Sequence, residues 1–284
     1  MKKAAGVMGF PISHSLSPRL HGYWIRKYDL DAVYVAREVK PENLKQILQD
    51  LPVQCAANGE IFRGGNLTIP LKETVLDIVD ILEPSAKIIG AVNTLVLDED
   101  GTLIGRNTDG IGFQDSLAEH IELDRFKGGT ALVLGAGGAA KAVVYALAEM
   151  GFAKILISNR TQSRADDLVQ HVGGVTETLP WDNRTQALDS VDLLVNTTSL
   201  GMNGQPALQM PLDGLKTGAV VTDIVYVPLE TDLLRDAREN GYVVVDGLGM
   251  LLHQAKAGFE AWFGVKPEVD KALRDYVLEG LNKK

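Results

Sequence analysis

Cysteine occurs once in the 284 residues, as Cys55; this excludes an internal disulfide and any cysteine-rich zinc site, and leaves a small buried or half-exposed thiol. The five histidines are scattered without a ligand-spaced pair, so no metal is expected. Positive charge is also scarce: Lys+Arg 28 against Asp+Glu 37 gives a net charge of -9 and a pI near 5.1. No basic run offsets that acidity, so neither nucleic acid nor an anionic membrane is an expected partner. An anionic small molecule would have to be held by local groups. No apolar run reaches a membrane-spanning length. The start, MKKAAGVMGFPISHS, has too short an apolar run before Gly9 and Pro11 for a signal peptide. A cytoplasmic location is the simplest expectation.

What is plentiful is apolar and small: 45% hydrophobic residues and 29 glycines, with 23% charged, as in an α/β protein of one large or two ordinary domains. The stretch Thr130 to Met150, TALVLGAGGAAKAVVYALAEM, organises the rest. Ala131 to Leu134 reads as a buried strand. Gly135, Gly137 and Ala140 then fill a G-x-G-x-x-G/A spacing, and Val143, Ala146, Leu147 and Met150 recur at helical spacing. Gly135 permits a tight turn, Gly137 lets backbone approach a pyrophosphate, and the helix start offers N–H groups to a diphosphate. Packing alone also explains small residues between strand and helix, but strand, turn and helix come here in the order a dinucleotide site requires.

Before this stretch, Ala4 to Met8 reads as a strand, and Leu20, Trp24, Ile25 and Tyr28 as a helix face. Ser17 and Pro18 suit an N-cap and first turn, whereas Ser15 has no comparable structural reading. Two hydroxyls beside a helix N-terminus also suit a small carboxylate. Ala32 to Val35 predicts a strand and Pro41 to Leu51 a helix; the pattern from Val53 to Phe62 predicts nothing. Gly64 and Gly65 read as a turn leading through a short strand into a helix with Val75, Leu76, Ile78 and Val79. Lys72 falls near that helix's N-terminus, where the macrodipole disfavours a cation, although a surface lysine is the ordinary alternative. A hairpin follows, Leu95 to Leu97 and Leu103 to Gly105 around Asp98 to Gly101. Asp109 can be the N-cap of a helix carrying Ile111, Leu117 and Ile121.

Beyond the glycine turn, Ile155 to Ser158 predicts the next strand. An NAD site wants a carboxylate about 20 residues after the turn, and a 2′-phosphate wants arginine. Asn159 lies 24 positions after Gly135, Arg160 and Arg164 follow, and no acid intervenes before Asp166. NADP is favoured over the alternative of two ordinary surface arginines. Asp192 to Asn196 is a further strand that ends in Thr197, Thr198 and Ser199, hydroxyls at the end where cofactors bind in open parallel sheets. Val220 to Ile224 is another, closed by Tyr226. Thr231 caps a helix ended by Gly241, Tyr242 to Val245 supplies a last strand, and Asp246 to Met250 turns into a helix burying Leu251, Leu252, Ala255 and Phe259. Pro267 opens a final helix through Leu281. No internal repeat or low-complexity segment is visible.

The set Ser15-Leu16-Ser17-Pro18, Asn66-Leu67-Thr68-Ile69-Pro70-Leu71-Lys72, Gly90-Ala91-Val92-Asn93-Thr94, Asn107-Thr108-Asp109-Gly110, the Gly135 turn and Gly247-Leu248-Gly249-Met250-Leu251 closely resembles shikimate dehydrogenases, in that family's order and over almost the whole chain. Leu67 stands where the family more often has Val, an apolar strand swap. The resemblance implies an N-terminal α/β substrate domain with mostly parallel sheet and a Rossmann-like NADP-binding domain, the C-terminal helices returning to the first. The implied boundaries are 1–108 with 247–284, and 109–246. The implied activity is reversible reduction of 3-dehydroshikimate to shikimate with NADPH, in aromatic amino-acid biosynthesis. By the same resemblance Lys72 and Asp109 are catalytic, and the substrate contacts are Ser15, Ser17, Thr68, Lys72, Asn93, Asp109, Tyr226 and Gln254. The cofactor positions are Gly135, Ala136, Gly137, Gly138, Ala139, Asn159, Arg160, Thr161, Arg164, Thr198, Ser199, Ile224, Gly247 and Met250. For Gly247 and Met250 a hinge and a core methionine are the local alternatives.

Hydride addition to a ketone builds negative charge on its oxygen, so a proton donor must lie within hydrogen-bond reach. Lys72 can supply that proton, with Asp109 orienting the ammonium and accepting from a substrate hydroxyl. Transfer from Lys72 alone and from a coupled pair are both open at this stage. A quinate/shikimate dehydrogenase is the nearest rival; Ser17 and the Asn159 to Arg164 segment lean against it. A ligand-sensing homologue without turnover is a second, although a sensor needs no proton donor. A homodimer is left open.

Overall fold

A computed structural model describes residues 1–281, which fall into two compact units: residues 1–108 with residues from Gln254 onward, and Asp109–His253. Residues 282–284, the end of the segment expected to return to the first domain, lie outside the described residues. The first unit runs β1 (Lys2–Gly9), α1 (Ser17–Lys27), β2 (Ala32–Glu38), α2 (Leu44–Ala57), β3 (Glu60–Leu67), α3 (Leu71–Thr74), β4 (Ile81–Leu82), α4 (Pro84–Ile89), β5 (Thr94–Leu97) and β6 (Leu103–Arg106). The second runs α5 (Asp109–Ala118), β7 (Thr130–Leu134), α6 (Gly138–Glu149), β8 (Lys154–Ser158), α7 (Gln162–Val172), β9 (Thr176–Thr178), β10 (Leu193–Asn196), β11 (Val220–Asp223), α8 (Asp232–Glu239) and β12 (Val243–Val245). Then α9 (Gly247–Phe263) begins in the second unit and ends in the first, which α10 (Lys271–Leu281) completes.

In the first unit the sheet order is β2-β1-β3-β5-β6-β4. β1 pairs parallel with β2 and β3, the β5-β6 hairpin is antiparallel to β3, and β4 joins β6 in parallel. Leu44, Leu48, Leu51 and Cys55 of α2 form one buried stripe with Met8, Phe62, Leu67 and Leu71. Because that stripe continues past Pro52, the helix runs on to Ala57 instead of ending at Leu51. Gly64 and Gly65 lie inside β3 and not in a turn. At Gly64 φ is +131°, and a Cβ would sit 2.1 Å from the Leu95 carbonyl oxygen, to which the Trp262 indole N–H donates at 2.7 Å. The glycine admits that close approach.

Three further expectations change. The helix at Lys72 is a single turn followed by a short 3-10 segment, Val75–Asp77, so the macrodipole penalty on a cation there is small. α10 starts at Lys271 and not at Pro267, because the Asp270 carboxylate accepts from the Leu273 N–H at 2.8 Å and acts as the cap. The helix after Asp109 ends at Ala118; Ile121 lies beyond it, and Ile111 is exposed while Gly112, Phe113, Ser116 and Leu117 are buried.

The second unit's sheet is wholly parallel, in the order β12-β11-β10-β7-β8-β9. The chain starts centrally at β7, moves outward to β9, returns to β10 beside β7 and leaves toward the other edge. That is the doubly wound dinucleotide order, with its switch point between β7 and β10. Side chains alternate between two cores: Ala131, Val133, Ile155, Ile157 and Val195 on one face, Leu132, Leu134, Leu156, Leu194 and Val221 on the other. Burial on both faces explains why these strands read as unbroken apolar runs. No helix among the described residues is long and apolar enough to cross a membrane.

Candidate active site

In the first unit, hydrogen bonds knit together residues far apart in sequence. The Asn93 side chain donates to Thr108 Oγ1 at 3.1 Å and to Gln254 Oε1 at 3.4 Å, and accepts from the Thr108 N–H at 2.9 Å. Asn66 donates to the Asn93 carbonyl at 3.2 Å and to Thr94 Oγ1 at 3.1 Å, and its own Oδ1 accepts from the Tyr34 hydroxyl at 2.6 Å. Tyr34 also hydrogen-bonds the Ser17 side chain; burial holds its phenol well above the ordinary value and therefore neutral. Thr68 and Lys72 join by backbone: Thr68 donates to the Met8 carbonyl at 3.0 Å, and the Lys72 carbonyl accepts from the Val92 N–H at 2.8 Å. Thus Ser17, Thr68, Lys72, Asn93 and Gln254 are tied by hydrogen bonds to one scaffold of strands and helix starts.

Ser17 is the first residue of α1, not its cap, since Leu16 occupies the cap position. Ser15, which had no structural reading, has one: its hydroxyl accepts from the Ser17 N–H at 3.3 Å. That bond uses an acceptor lone pair, so the Ser15 O–H remains available as a donor. Tyr34, Asn66 and Thr108 were not singled out from sequence as site residues. For Asn66 and Thr108 the signal was their place inside the quoted motifs; Tyr34, in an ordinary strand, gave none.

In the second unit three strand ends stand side by side. Gly135 has φ +110°, and a Cβ there would lie 2.6 Å from Thr197 Oγ1. Thr197 donates through both N–H and hydroxyl to the Leu134 carbonyl, at 2.8 and 2.7 Å, which ties the loop after β10 to the glycine turn. The Ile224 N–H donates to the Asn196 carbonyl at 3.1 Å, adding the loop after β11. A Cβ at Gly247 would lie 2.3 Å from the Ile224 carbonyl oxygen, so the start of α9 rests on that loop. Met250 is buried in the core that Ala136 and Ile224 also line. Tyr226 is half-buried, and burial raises its phenol above the ordinary value. Asp109, at the start of α5, is buried.

The face above these strand ends is open. Gly137 and Gly138 are exposed, and a Cβ at either would meet nothing within 4 Å. No side chain caps α6 or α7, so their leading N–H groups point at whatever anion lies there. Asn159 donates to the Thr161 carbonyl at 2.8 Å, shaping a loop on which Arg160 and Arg164 are exposed. Sequence reasoning missed Asn196 and Asp223, and it gave Thr231 only a capping role. The three form a buried cluster, described below. Their signal was a polar residue closing each of two apolar strands in register, Asn196 opposite Asp223.

An uncapped helix behind a glycine turn at the switch point of a doubly wound sheet, joined to a second α/β unit with a buried amide and hydroxyl network, defines the class of two-unit, dinucleotide-binding α/β proteins. Profiles described as shikimate dehydrogenase substrate binding domain, shikimate / quinate 5-dehydrogenase and shikimate 5'-dehydrogenase C-terminal domain match residues 7–95, 116–203 and 247–274. A shikimate dehydrogenase (NADP(+)) of Paramagnetospirillum magneticum is 50% identical over 276 residues, covering 97% of this chain and 98% of its own. The chain belongs to the shikimate dehydrogenase family. Among solved structures, the shikimate 5-dehydrogenase of Thermus thermophilus in complex with NADP(H) and shikimate is 35% identical with a TM-score of 0.81, covering 100% of this chain and 99% of that one. A quinate dehydrogenase of Corynebacterium glutamicum in complex with NAD is 29% identical with a TM-score of 0.87, covering 98% and 99%.

Proposed function

We propose that this protein catalyses the reversible, NADPH-dependent reduction of 3-dehydroshikimate to shikimate, a cytoplasmic step of aromatic amino-acid biosynthesis. One observation carries the reading: a relative 50% identical over 97% of the chain is a shikimate dehydrogenase (NADP(+)). The residues present fit the cofactor. The uncapped start of α6 and the open glycines suit the diphosphate, Asn159, Arg160, Thr161 and Arg164 the 2′-phosphate, and Thr198, Ser199, Ile224, Gly247 and Met250 the remainder. When bound, NADPH supplies the hydride.

The chain's own residues supply the rest. Among the described residues, 1–108 and 247–281 carry most of the substrate contacts and 109–246 most of the cofactor contacts, with Asp109 and Tyr226 turned to the substrate and Gly247 and Met250 to the cofactor. Ser15 and Ser17 donate to the substrate carboxylate, the Ser15 proton being available because its oxygen is the acceptor for Ser17. Thr68, Asn93, Tyr226 and Gln254 orient the ring hydroxyls. Lys72 delivers a proton to the developing alkoxide, and Asp109 orients that ammonium and accepts from a neighbouring hydroxyl. A homodimer is the assembly to test by light scattering.

The quinate dehydrogenase of similar fold makes quinate with NAD the second reading. Oxidation of shikimate and of quinate, each with NADP and with NAD, followed by nicotinamide absorbance, separates the two. The highest kcat/KM is expected for shikimate with NADP. Preference for quinate with NAD would transfer the assignment, and absence of turnover with every pair would remove the enzymatic reading.

A further inference from the structure

Asp223 is wholly buried at the end of β11, yet it is an acid. Both oxygens of its carboxylate accept from donors. Oδ1 accepts from the Asn196 side-chain N–H at 2.9 Å and from the Val225 backbone N–H at 2.9 Å, and Oδ2 accepts from the Thr231 hydroxyl at 2.8 Å. Each donor belongs to a different piece of chain. Asn196 turns its own Oδ1 to the Thr198 N–H at 3.0 Å and the Thr198 hydroxyl at 2.7 Å, and reaches the Leu200 carbonyl at 3.2 Å. Val225 precedes Tyr226. Thr231, by donating to Asp223, keeps a lone pair for the Leu234 N–H at the start of α8.

Such an arrangement needs an acceptor facing Asn196 and Val225. A carboxylate facing Asn196 forces the amide N–H toward itself and the amide oxygen toward Thr198; with a donor at that point the amide could flip and release the loop. The site is not an economical way to fill a core. Burial pushes the Asp223 carboxyl up to about 6, with the three hydrogen bonds opposing the shift and no charged neighbour contributing to it. Apolar residues packed there would avoid that cost.

We propose that Asp223 is a positioning residue that fixes two cofactor loops together, residues 196–200 and 224–227, and thereby sets affinity for NADP(H). The inference rests on the proposed NADP(H) site, because those loops carry Thr198, Ser199 and Ile224. Asp223 has no exposed surface with which to touch the cofactor. It acts through Asn196 on one loop and through the Val225 N–H on the other, while the Asn203 N–H, three residues beyond the first loop, bonds the Val227 carbonyl at 2.9 Å.

The test compares Asp223→Ala, Asp223→Asn and Asn196→Ala in the full chain, reading KM for NADPH, KM for 3-dehydroshikimate, kcat, and amide hydrogen exchange at Thr198, Leu200, Val225 and Tyr226. Asp223→Ala should raise KM for NADPH roughly tenfold, with kcat and KM for 3-dehydroshikimate moving by less than about twofold, and should speed exchange in both loops. Asp223→Asn should recover most of the affinity, since its oxygen can face Asn196 and Val225 while its N–H₂ faces the rotatable Thr231 hydroxyl. Asn196→Ala, which remains informative if Asp223→Ala does not fold, should loosen residues 198–200 more than residues 225–226 and again raise KM for NADPH. Unchanged NADPH affinity and exchange in the alanine variants would overturn the proposal; so would a loss confined to kcat, or no recovery with asparagine. A wild-type protein that does not saturate with NADPH would instead refute the cofactor assignment, and the exchange comparison would still decide whether Asp223 anchors the loops.

Discussion

Among the described residues, His21 in the first unit and Asp223 in the second have no exposed surface, and the two respond to pH in opposite directions. In the first unit His21 lies among aromatic rings, stacked on Tyr34 at 4.0 Å between centroids and flanked by Trp24, Phe259 and Trp262. Neither of its ring nitrogens makes a well-formed hydrogen bond among the described residues. Burial lowers its pKa from 6.5 to about 3, and the Asn66 side chain offsets only part of the shift. Asp223 in the second unit is fully hydrogen-bonded, yet burial still raises it from 3.8 to about 6. A depressed histidine leaves the folded state short of protons relative to the unfolded chain, so stability falls as pH drops below about 6.5. A raised carboxyl does the reverse: folding is favoured while the acid is protonated, and that advantage is lost as pH rises through about 6. One unit is packed for neutrality around a ring, and the other tolerates charge in exchange for loop geometry.

The same contrast separates the proposed tasks. The first unit presents side chains to a substrate, whereas the second presents mostly backbone to a cofactor and controls it through anchored loops. Lys72→Ala should therefore have the largest effect and should fall on kcat, roughly 10²- to 10⁴-fold, with shikimate affinity little changed. Steady-state rates with shikimate and NADP measure it, and near-normal turnover would take Lys72 out of the chemistry and blur the division of labour. Asp223→Asn comes next and concerns stability. A shift from 3.8 to about 6 corresponds to about 3 kcal/mol at neutral pH, and the neutral amide should recover part of it. The variant should melt higher than wild type near pH 7, and the difference should vanish in acid. A gain that persisted in acid would mean that charge burial is not its source.

His21→Phe sharpens the other side. Between about pH 6.5 and about pH 4.5 the buried histidine should remove about 2 kcal/mol of stability as acid is added. Phenylalanine keeps the stack on Tyr34 and has no proton to take up, so thermal melts of the variant should lose less on acidification than those of wild type. Identical acid sensitivity in the two proteins would mean that His21 is not the acid-labile group of the first unit.

Local pattern made much of this legible and long-range contact did not. The run from Thr130 to Met150 carried its own evidence, because strand, turn and helix are set by neighbours within a few residues. Gly64 was misread as a turn because the reason for glycine lies in Leu95 and Trp262, far along the chain. The helix expected to end at Leu51 runs past Pro52, because its buried stripe continues to Cys55. Pro267 was taken as a helix start when the cap three residues later, Asp270, was the better signal. Ser15 was read only as a ligand group, since a hydroxyl that bonds two residues on looks no different in sequence. Asn93 and Gln254 lie 161 positions apart and meet only through the fold. Tyr34 and Asp223 were invisible for the same reason: their importance is in what they bond, not in what precedes or follows them.

The smallest expected effect tests the exposed edge of the second unit. Arg160 follows the end of β8 on a loop shaped by the Asn159 contact to Thr161, with Arg164 one helical turn along and no acid before Asp166. A ribose 2′-hydroxyl asks for a carboxylate there, and a 2′-phosphate for a guanidinium. Arg160 is exposed, so a bond from it to a phosphate would be screened by solvent and salt. Arg160→Ala should accordingly lower the ratio of kcat/KM for NADPH over NADH by only about tenfold, through KM for NADPH, while kcat stays close to wild type. Because the contact is electrostatic, the difference between variant and wild type should shrink as ionic strength rises. An unchanged cofactor preference at low salt would show that the arginine is an ordinary surface charge, and selection of the phosphate would then have to come from Arg164 or from the uncapped start of α7.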